Sequence, residues 1–158
     1  MTTAVQTDTT DQRILGELQQ DCDVSVAELG ERVNLSTNAC WRRIKRLEQE
    51  GYIRRRVALL DARKLGADVV VFVSIRAAEH SEAWLSEFTQ VVRSEPEVTE
   101  FYRMSGDVDY LLKVQVADIA AYDRFYQRLI RAVRIRDVSS TFAMEELKFT
   151  TALPLSSR

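Results

Sequence analysis

Long apolar runs are missing from this chain of 158 residues. None approaches the ~20 residues that span a bilayer, so no membrane insertion is expected. The opening MTTAVQTDTTD has neither a basic n-region nor an apolar h-region and does not read as a signal peptide. Residues 1–9 read as a flexible tail, and a cytoplasmic location is expected. Cysteine is scarce. Cys22 and Cys40 show no CxxC and no cysteine–histidine spacing of a zinc site, so neither a structural metal nor a cofactor is expected. Histidine is scarcer still, with His80 alone. That leaves little material for metal-assisted or nucleophilic catalysis, and the expectation is a protein that is not an enzyme.

Apolar residues make up 46% of the chain, too many for a disordered protein, and the length suits one ordinary domain or two small ones. The net charge of −2 conceals an asymmetry. Between Ser36 and Lys64 stand nine basic residues and three acidic ones, a local charge of +6 against −8 for the rest. A basic patch on an acidic chain points to a focused contact with a polyanion.

The surrounding sequence gives that patch a form. Thr10 is positioned to cap a first helix carrying Ile14, Leu15 and Leu18, which Asp21-Cys22-Asp23 ends. Ser25-Val-Ala-Glu28 reads as a capping box opening a short helix with Leu29 and Val33. Asn34 tolerates the left-handed conformation of a tight turn, and Ser36 caps a third, longer helix. Short helix, turn and longer helix form a helix-turn-helix, with the small Gly30 where the two helices approach. On the third helix Cys40, Ile44 and Leu47 share an inward face. Asn38, Trp41, Arg42 and Lys45 share the opposite one, with Ser36 and Thr37 at the helix start. Arg and Lys reach guanine edges or phosphates, Asn pairs with adenine, and Trp and the Thr methyl touch thymine methyls or the sugar wall. Arg46 belongs to the same candidate set. Arg43 sits between the faces and is expected to pair with an acidic neighbour such as Glu31 or Glu50. Gly51 closes the helix, and Tyr52 to Leu60 reads as an extended wing or hairpin strand whose Arg54, Arg55 and Arg56 contact phosphates. An Arg-rich amphipathic helix alone is usually a solvated face; the capping signals, turn and basic segment together favour double-stranded DNA. The organisation expected is a helix-turn-helix domain over 10–53, a wing or hinge with linker over 54–66, and a second domain over 67–158.

That second domain alternates in a fixed order. A β-branched strand follows Asp68. Next comes a helix capped by Ser81, carrying Trp84, Leu85, Phe88, Val91 and Val92 and broken at Glu95-Pro96-Glu97. Strands over Val98–Met104 and Asp109–Val116 flank Ser105-Gly106-Asp107. A helix capped by Asp118 and a last strand over Val138–Phe149, with a bulge at Glu145-Glu146, complete the chain. The fold class is α+β: a winged helix-turn-helix followed by a ferredoxin-like βαββαβ domain. Val69 to Val73 is apolar at every position, so both faces of that strand seek cover. Sheet-to-sheet packing of two chains is the expected solution, and a homodimer matches a pseudo-palindromic operator.

The turn Ser105 to Tyr110 is a second chemical candidate. Asp107 and Asp109 alternate onto one side, and Gly106 admits a close neighbour. Carboxylates beside backbone N–H groups suit a zwitterion, although Gly and Asp populate ordinary turns as well.

Several segments together carry a resemblance: Asp11-Gln-Arg-Ile-Leu15, Ala27-Glu-Leu29, Leu35-Ser36, Arg43-Ile-Lys-Arg-Leu-Glu48, Gly51-Tyr-Ile53, Leu59-Leu-Asp61 to Leu65-Gly66, and Gly106-Asp-Val-Asp-Tyr-Leu-Leu-Lys-Val114. Over nearly its whole length the chain resembles the Lrp/AsnC (feast/famine) family of transcription regulators. The resemblance implies a small effector, usually an amino acid, held between dimers near Met104, Gly106, Asp107, Asp109 and Tyr110. It also implies homodimers that assemble further, often into octamers. Asn38-Ala-Cys-Trp-Arg42, Tyr102 to Gly106, and Ser140 to Met144 with Thr151 to Pro154 are similar to a branch governing amino-acid catabolism, one member of which responds to cysteine. Where many members have Pro-Gly before the last strand, this chain has Ala132 to Asp137. Two rivals remain. A redox- or ligand-sensing regulator would use Cys22 and Cys40, and a haem-precursor decarboxylase of similar fold would want more basic or histidine side chains than His80 supplies.

Overall fold

In the computed structural model, which describes residues 7–155, the chain forms two compact units. One runs up to Leu59 and resumes at Lys148; the other is Leu60–Leu147. Helix α1 (Thr9–Leu18) starts with a capping box. The Asp8 carboxylate accepts from the Asp11 N–H at 2.7 Å, and the Asp11 carboxylate accepts from the Asp8 N–H at 3.2 Å. The cap is therefore Asp8 rather than Thr10, and the expected tail is already ordered by its eighth residue; 1–6 lie outside the described residues. Helix α2 (Val26–Arg32) keeps only the serine half of its expected box. Ser25 Oγ accepts from the Glu28 N–H, while the Glu28 carboxylate accepts from Arg32 at 2.6 Å. Asn34 takes φ 58°, the left-handed turn that frees the chain to enter α3 (Thr37–Gln49), capped by Ser36. Gly30 is required there, because a Cβ at that position would lie 2.8 Å from the Leu35 carbonyl oxygen. Ile14, Leu29, Val33, Cys40, Ile44 and Leu47 make the core of this unit.

From Lys148 the described chain packs with the first unit. Its anchor is the Gln19 amide, which donates to the Leu153 carbonyl at 3.0 Å and accepts the Leu153 N–H at 2.9 Å. A primary amide matches one peptide unit donor for acceptor, so this short segment holds without a strand partner.

The second unit is a four-stranded antiparallel sheet in the order β2-β3-β1-β4, built from β1 (Val69–Ala77), β2 (Val98–Arg103), β3 (Tyr110–Val116) and β4 (Ile135–Phe142). Helices α4 (Glu82–Ser94) and α5 (Ile119–Ala132) cover one face. Alternation decides what lies beneath them: Val71, Val73, Ile75 and Ala77 of β1 and Leu112, Val114 and Val116 of β3 are buried. On the other face Phe72 is 39% and Tyr102 50% exposed, while Phe142, opposite Val71, lies on the helix side against Tyr122 of α5. Two strand expectations are corrected. β4 ends at Phe142, not Phe149, because Phe142 already pairs with Val71 and β1 begins two residues earlier. Its irregularity lies opposite Arg76 and Ala77, between Asp137 and Ile135, not at Glu145-Glu146. Ala132 to Asp137 is thus the helix end, a short link and the start of β4, with the Arg134 carbonyl accepting from the Trp84 indole at 2.7 Å.

Candidate nucleic-acid interface and effector turn

Helix α3 presents two faces of opposite character. Cys40, Ile44 and Leu47 are buried, and Ser36, Thr37, Asn38, Trp41, Arg42 and Lys45 are exposed, Trp41 to 52%. A large indole held half in water on a basic helix is costly packing for a free surface and good packing against a groove wall. Lys45 pairs with Glu48 at 2.7 Å, and Arg56 reaches the same carboxylate at 3.3 Å. The Lys45 ammonium, and the nearby Arg56 charge, hold the Glu48 carboxyl below its usual range. Exposed ion pairs contribute at most about 1 kcal/mol, so a phosphate can take Lys45 over at little cost.

Arg43 and Arg46 are placed differently from expectation. Arg43 pairs with Asp8 at 2.6 Å and Asp11 at 2.8 Å, not with Glu31 or Glu50. Arg46, expected at the DNA, donates to the same buried Asp11 carboxylate. Donating to these carboxylates, Asp8 and then Asp11 for Arg43 and Asp11 for Arg46, raises both guanidinium pKa values further. With Arg42, Asp8, Leu35 and Ala39 the two line an open cleft of about 450 Å³ beside the helix. Asp8 and Asp11 escaped the sequence reading. Their Asp-x-x-Asp spacing at a helix start is the same signal as Ser-x-x-Glu and could have found the cap. The arginine partners, 32 and 35 residues away, carried no local signal.

Arg54, Arg55 and Arg56 are exposed on a segment that forms no strand, so the expected wing strand is absent from the isolated chain. The sequence is extended and apolar at Val57, Leu59 and Leu60, but a strand needs a ladder partner, and none of the described strands pairs with it.

The second candidate is the turn between β2 and β3. Gly106 adopts φ 125°, open only to glycine without strain, and Ser105 and Asp107 are exposed. Met104, 40% exposed, donates its N–H to the Asp109 carbonyl at 2.8 Å and closes the hairpin. The Asp107 carbonyl accepts from Arg76 Nε at 2.9 Å. Asp109 is engaged by the sheet: its carboxylate accepts the Ala77 N–H at 2.8 Å, its N–H donates to the Ile75 carbonyl, and His80 stands 4.0 Å away. Tyr110 does not line the turn. It lies in the core against Trp84, Phe88 and Phe101. The expected cluster of five therefore divides into exposed Met104, Gly106 and Asp107, the half-buried tether Asp109 and the core residue Tyr110.

Cys40 is fully buried, and burial pushes its thiol pKa up, the reverse of what a reactive thiol needs. Among the described residues no group of three or more His, Cys, Asp or Glu is arranged to hold a metal, and no helix is long and apolar enough to cross a membrane.

Comparison with known proteins agrees with both halves of this geometry. Residues 7–54 match the winged helix-turn-helix DNA-binding model, and residues 70–153 match the Lrp/AsnC ligand binding domain model. The chain is 56% identical to the glutamate uptake regulatory protein of Zymomonas mobilis, across 92% of this chain and 88% of that one. An AsnC family transcriptional regulator from Agrobacterium tumefaciens superposes with a TM-score of 0.91 at 60% identity, covering 94% of this chain and 97% of that chain. A transcriptional regulator from Neisseria meningitidis, solved in complex with L-Met, superposes with a TM-score of 0.90 at 33% identity, again covering 94% and 97%. The chain therefore belongs to the Lrp/AsnC family of transcription regulators, and it joins a winged helix-turn-helix to that family's ligand-binding domain.

Proposed function

We propose that this regulator docks the Asn38, Trp41, Arg42 and Lys45 face of α3 in the major groove of a pseudo-palindromic operator, as a homodimer, in the cytoplasm, and without catalysing a reaction. The observation that carries this reading is the segregation of α3, with Cys40, Ile44 and Leu47 buried and the four polar or aromatic side chains turned to solvent. Ser36 and Thr37 at the helix start, and Arg54, Arg55 and Arg56 beyond its end, supply phosphate contacts that fix register. Two copies join through the bare sheet face around Phe72, and higher assembly follows the family pattern. Selection from a pool of random duplexes should enrich an inverted repeat. Arg42→Ala and Lys45→Ala should each weaken binding to it by about 1–3 kcal/mol where the side chain reads a base, less at a phosphate. Failure to enrich any duplex, or parent affinity in both variants, overturns the reading.

An amino acid is the proposed effector, taken at the turn of Met104, Gly106 and Asp107. The L-Met complex of the Neisseria relative supports the class of ligand. Asp107 is the better partner for an ammonium, because one oxygen of Asp109 already serves the Ala77 N–H. Among the twenty amino acids, one or a few, cysteine included in the screen, should raise the thermal midpoint of the protein. Asp107→Ala should erase that shift and leave operator affinity unchanged; a retained shift places the effector elsewhere.

A further inference from the structure

Arg43 and Arg46 are half-buried, between the outward face of α3 and its core face. Both guanidinium groups converge on one carboxylate from another helix. Asp11 Oδ1 accepts from Arg43 Nη1 at 2.8 Å, while Oδ2 accepts from Arg46 Nη2 and from the Asp8 N–H at 3.2 Å. Asp8 Oδ2 takes the same Arg43 nitrogen at 2.6 Å. The Asp11 side chain is 1% exposed, and a carboxylate so placed is tolerated only with its charge matched and its lone pairs filled. It is also immobile, standing in the first turn of α1 with its own N–H held by Asp8 at 2.7 Å, three residues before the core residue Ile14.

One bond between helices leaves each free to roll about its axis. Two charged bonds from positions 43 and 46, both ending on a fixed point, do not. A roll of ~20° moves a side-chain tip ~6 Å from the axis by about 2 Å, more than a hydrogen bond to a base edge accepts. We infer that Asp11 is a positioning residue for DNA readout: through Arg43 and Arg46 it sets the roll of α3, hence the aim of Asn38, Arg42 and Lys45, and it withdraws Arg46 from the phosphates. This rests on the docking of α3 proposed above.

The test uses the full chain, the duplex selected by the parent protein, and a scrambled duplex of the same length and composition. D11N and R46A are measured at a temperature where circular dichroism shows them folded. For both, affinity for the selected duplex should fall about tenfold or more while affinity for the scrambled duplex stays within about twofold, and the salt dependence of binding should be unchanged. A role confined to stability lowers the melting temperature but leaves folded D11N with parent discrimination, which overturns the inference. If R46A lowers both affinities alike and reduces the salt slope by about one, Arg46 is a phosphate contact and the inference fails. Should D11N not fold, R46A alone decides by the same two readouts. A parent protein that selects no duplex overturns the docking reading, and this inference with it.

Discussion

Gly30 carries more of the DNA-binding geometry than its lack of a side chain suggests. In the middle of a helix glycine is the weaker choice by about 1 kcal/mol relative to alanine. Here that gain is outweighed, because the added Cβ would meet the Leu35 carbonyl oxygen at 2.8 Å, and that segment also donates the Leu35 N–H to the Gly30 carbonyl at 2.8 Å. The obstacle is backbone, not a side chain that can rotate away. Gly30→Ala should therefore lower stability by about 1–3 kcal/mol despite the better helix propensity, measured by urea unfolding. A more stable variant would show that the turn between α2 and α3 yields easily. Single residues were legible in the sequence where their reason was local. Asn34 at the left-handed turn and Ser36 at the cap answer to their nearest neighbours. Asp11 was not legible, since a buried aspartate looks like any first-turn acid until Arg43 and Arg46 arrive from another helix.

At the level of elements, carboxylates tie several segment ends, and their protonation links stability to pH. The Asp8 carboxyl is held below its usual range by the Asp11 backbone N–H and by Arg43, at the start of α1. Glu100 in β2 is lowered by the Tyr102 hydroxyl and by Lys113. Burial pushes Glu97, before β2, upward, but its own backbone N–H and Arg128 of α5 outweigh that and lower it. A group depressed in the folded state contributes stability above its unfolded pKa and loses it as pH falls through the folded one. Stability should thus be nearly flat from about pH 7 to 5 and fall steadily below about 4. Denaturant titrations across that range check it, and a rise in stability on acidification contradicts the assignment. Element boundaries were legible where a cap or period marked them, as at Ser81 and Asp118. The end of β4 was not. Apolar residues continue to Phe149, yet Met144 is 97% exposed, because a strand lasts only as long as its neighbour.

For the whole molecule, the sheet poses an open question that the isolated chain answers only halfway. Helices α4 and α5 bury one face, while Phe72 and Tyr102 remain more than a third exposed on the other. If two copies close that face, Phe72→Asp should cost the isolated chain little, yet place an unpaired charge inside the interface, where the penalty is several kcal/mol. The variant should sediment as a monomer at micromolar concentration and lose affinity for an inverted repeat, since two half-sites would be read separately. A variant that remains dimeric moves the interface away from this face. Such an expectation can be formed from Val69 to Val73 alone, because an uninterrupted apolar run needs cover on both sides wherever it lies.

The sequence by itself determined the repeating features: which residues of α3 face inward, the order of the strands and helices, the turn at Asn34 and the placement of positive charge. Each follows from periods of two or 3.6 residues and from caps a few positions long, so the information lies within one window of chain. Only the tertiary structure decided that Arg43 and Arg46 serve Asp11, that Tyr110 belongs to the core, that Asp109 tethers the sheet, and that the chain beyond Lys148 returns to Gln19. These depend on partners tens of residues away, and no local pattern encodes which distant group will arrive to fill a lone pair or cover a ring.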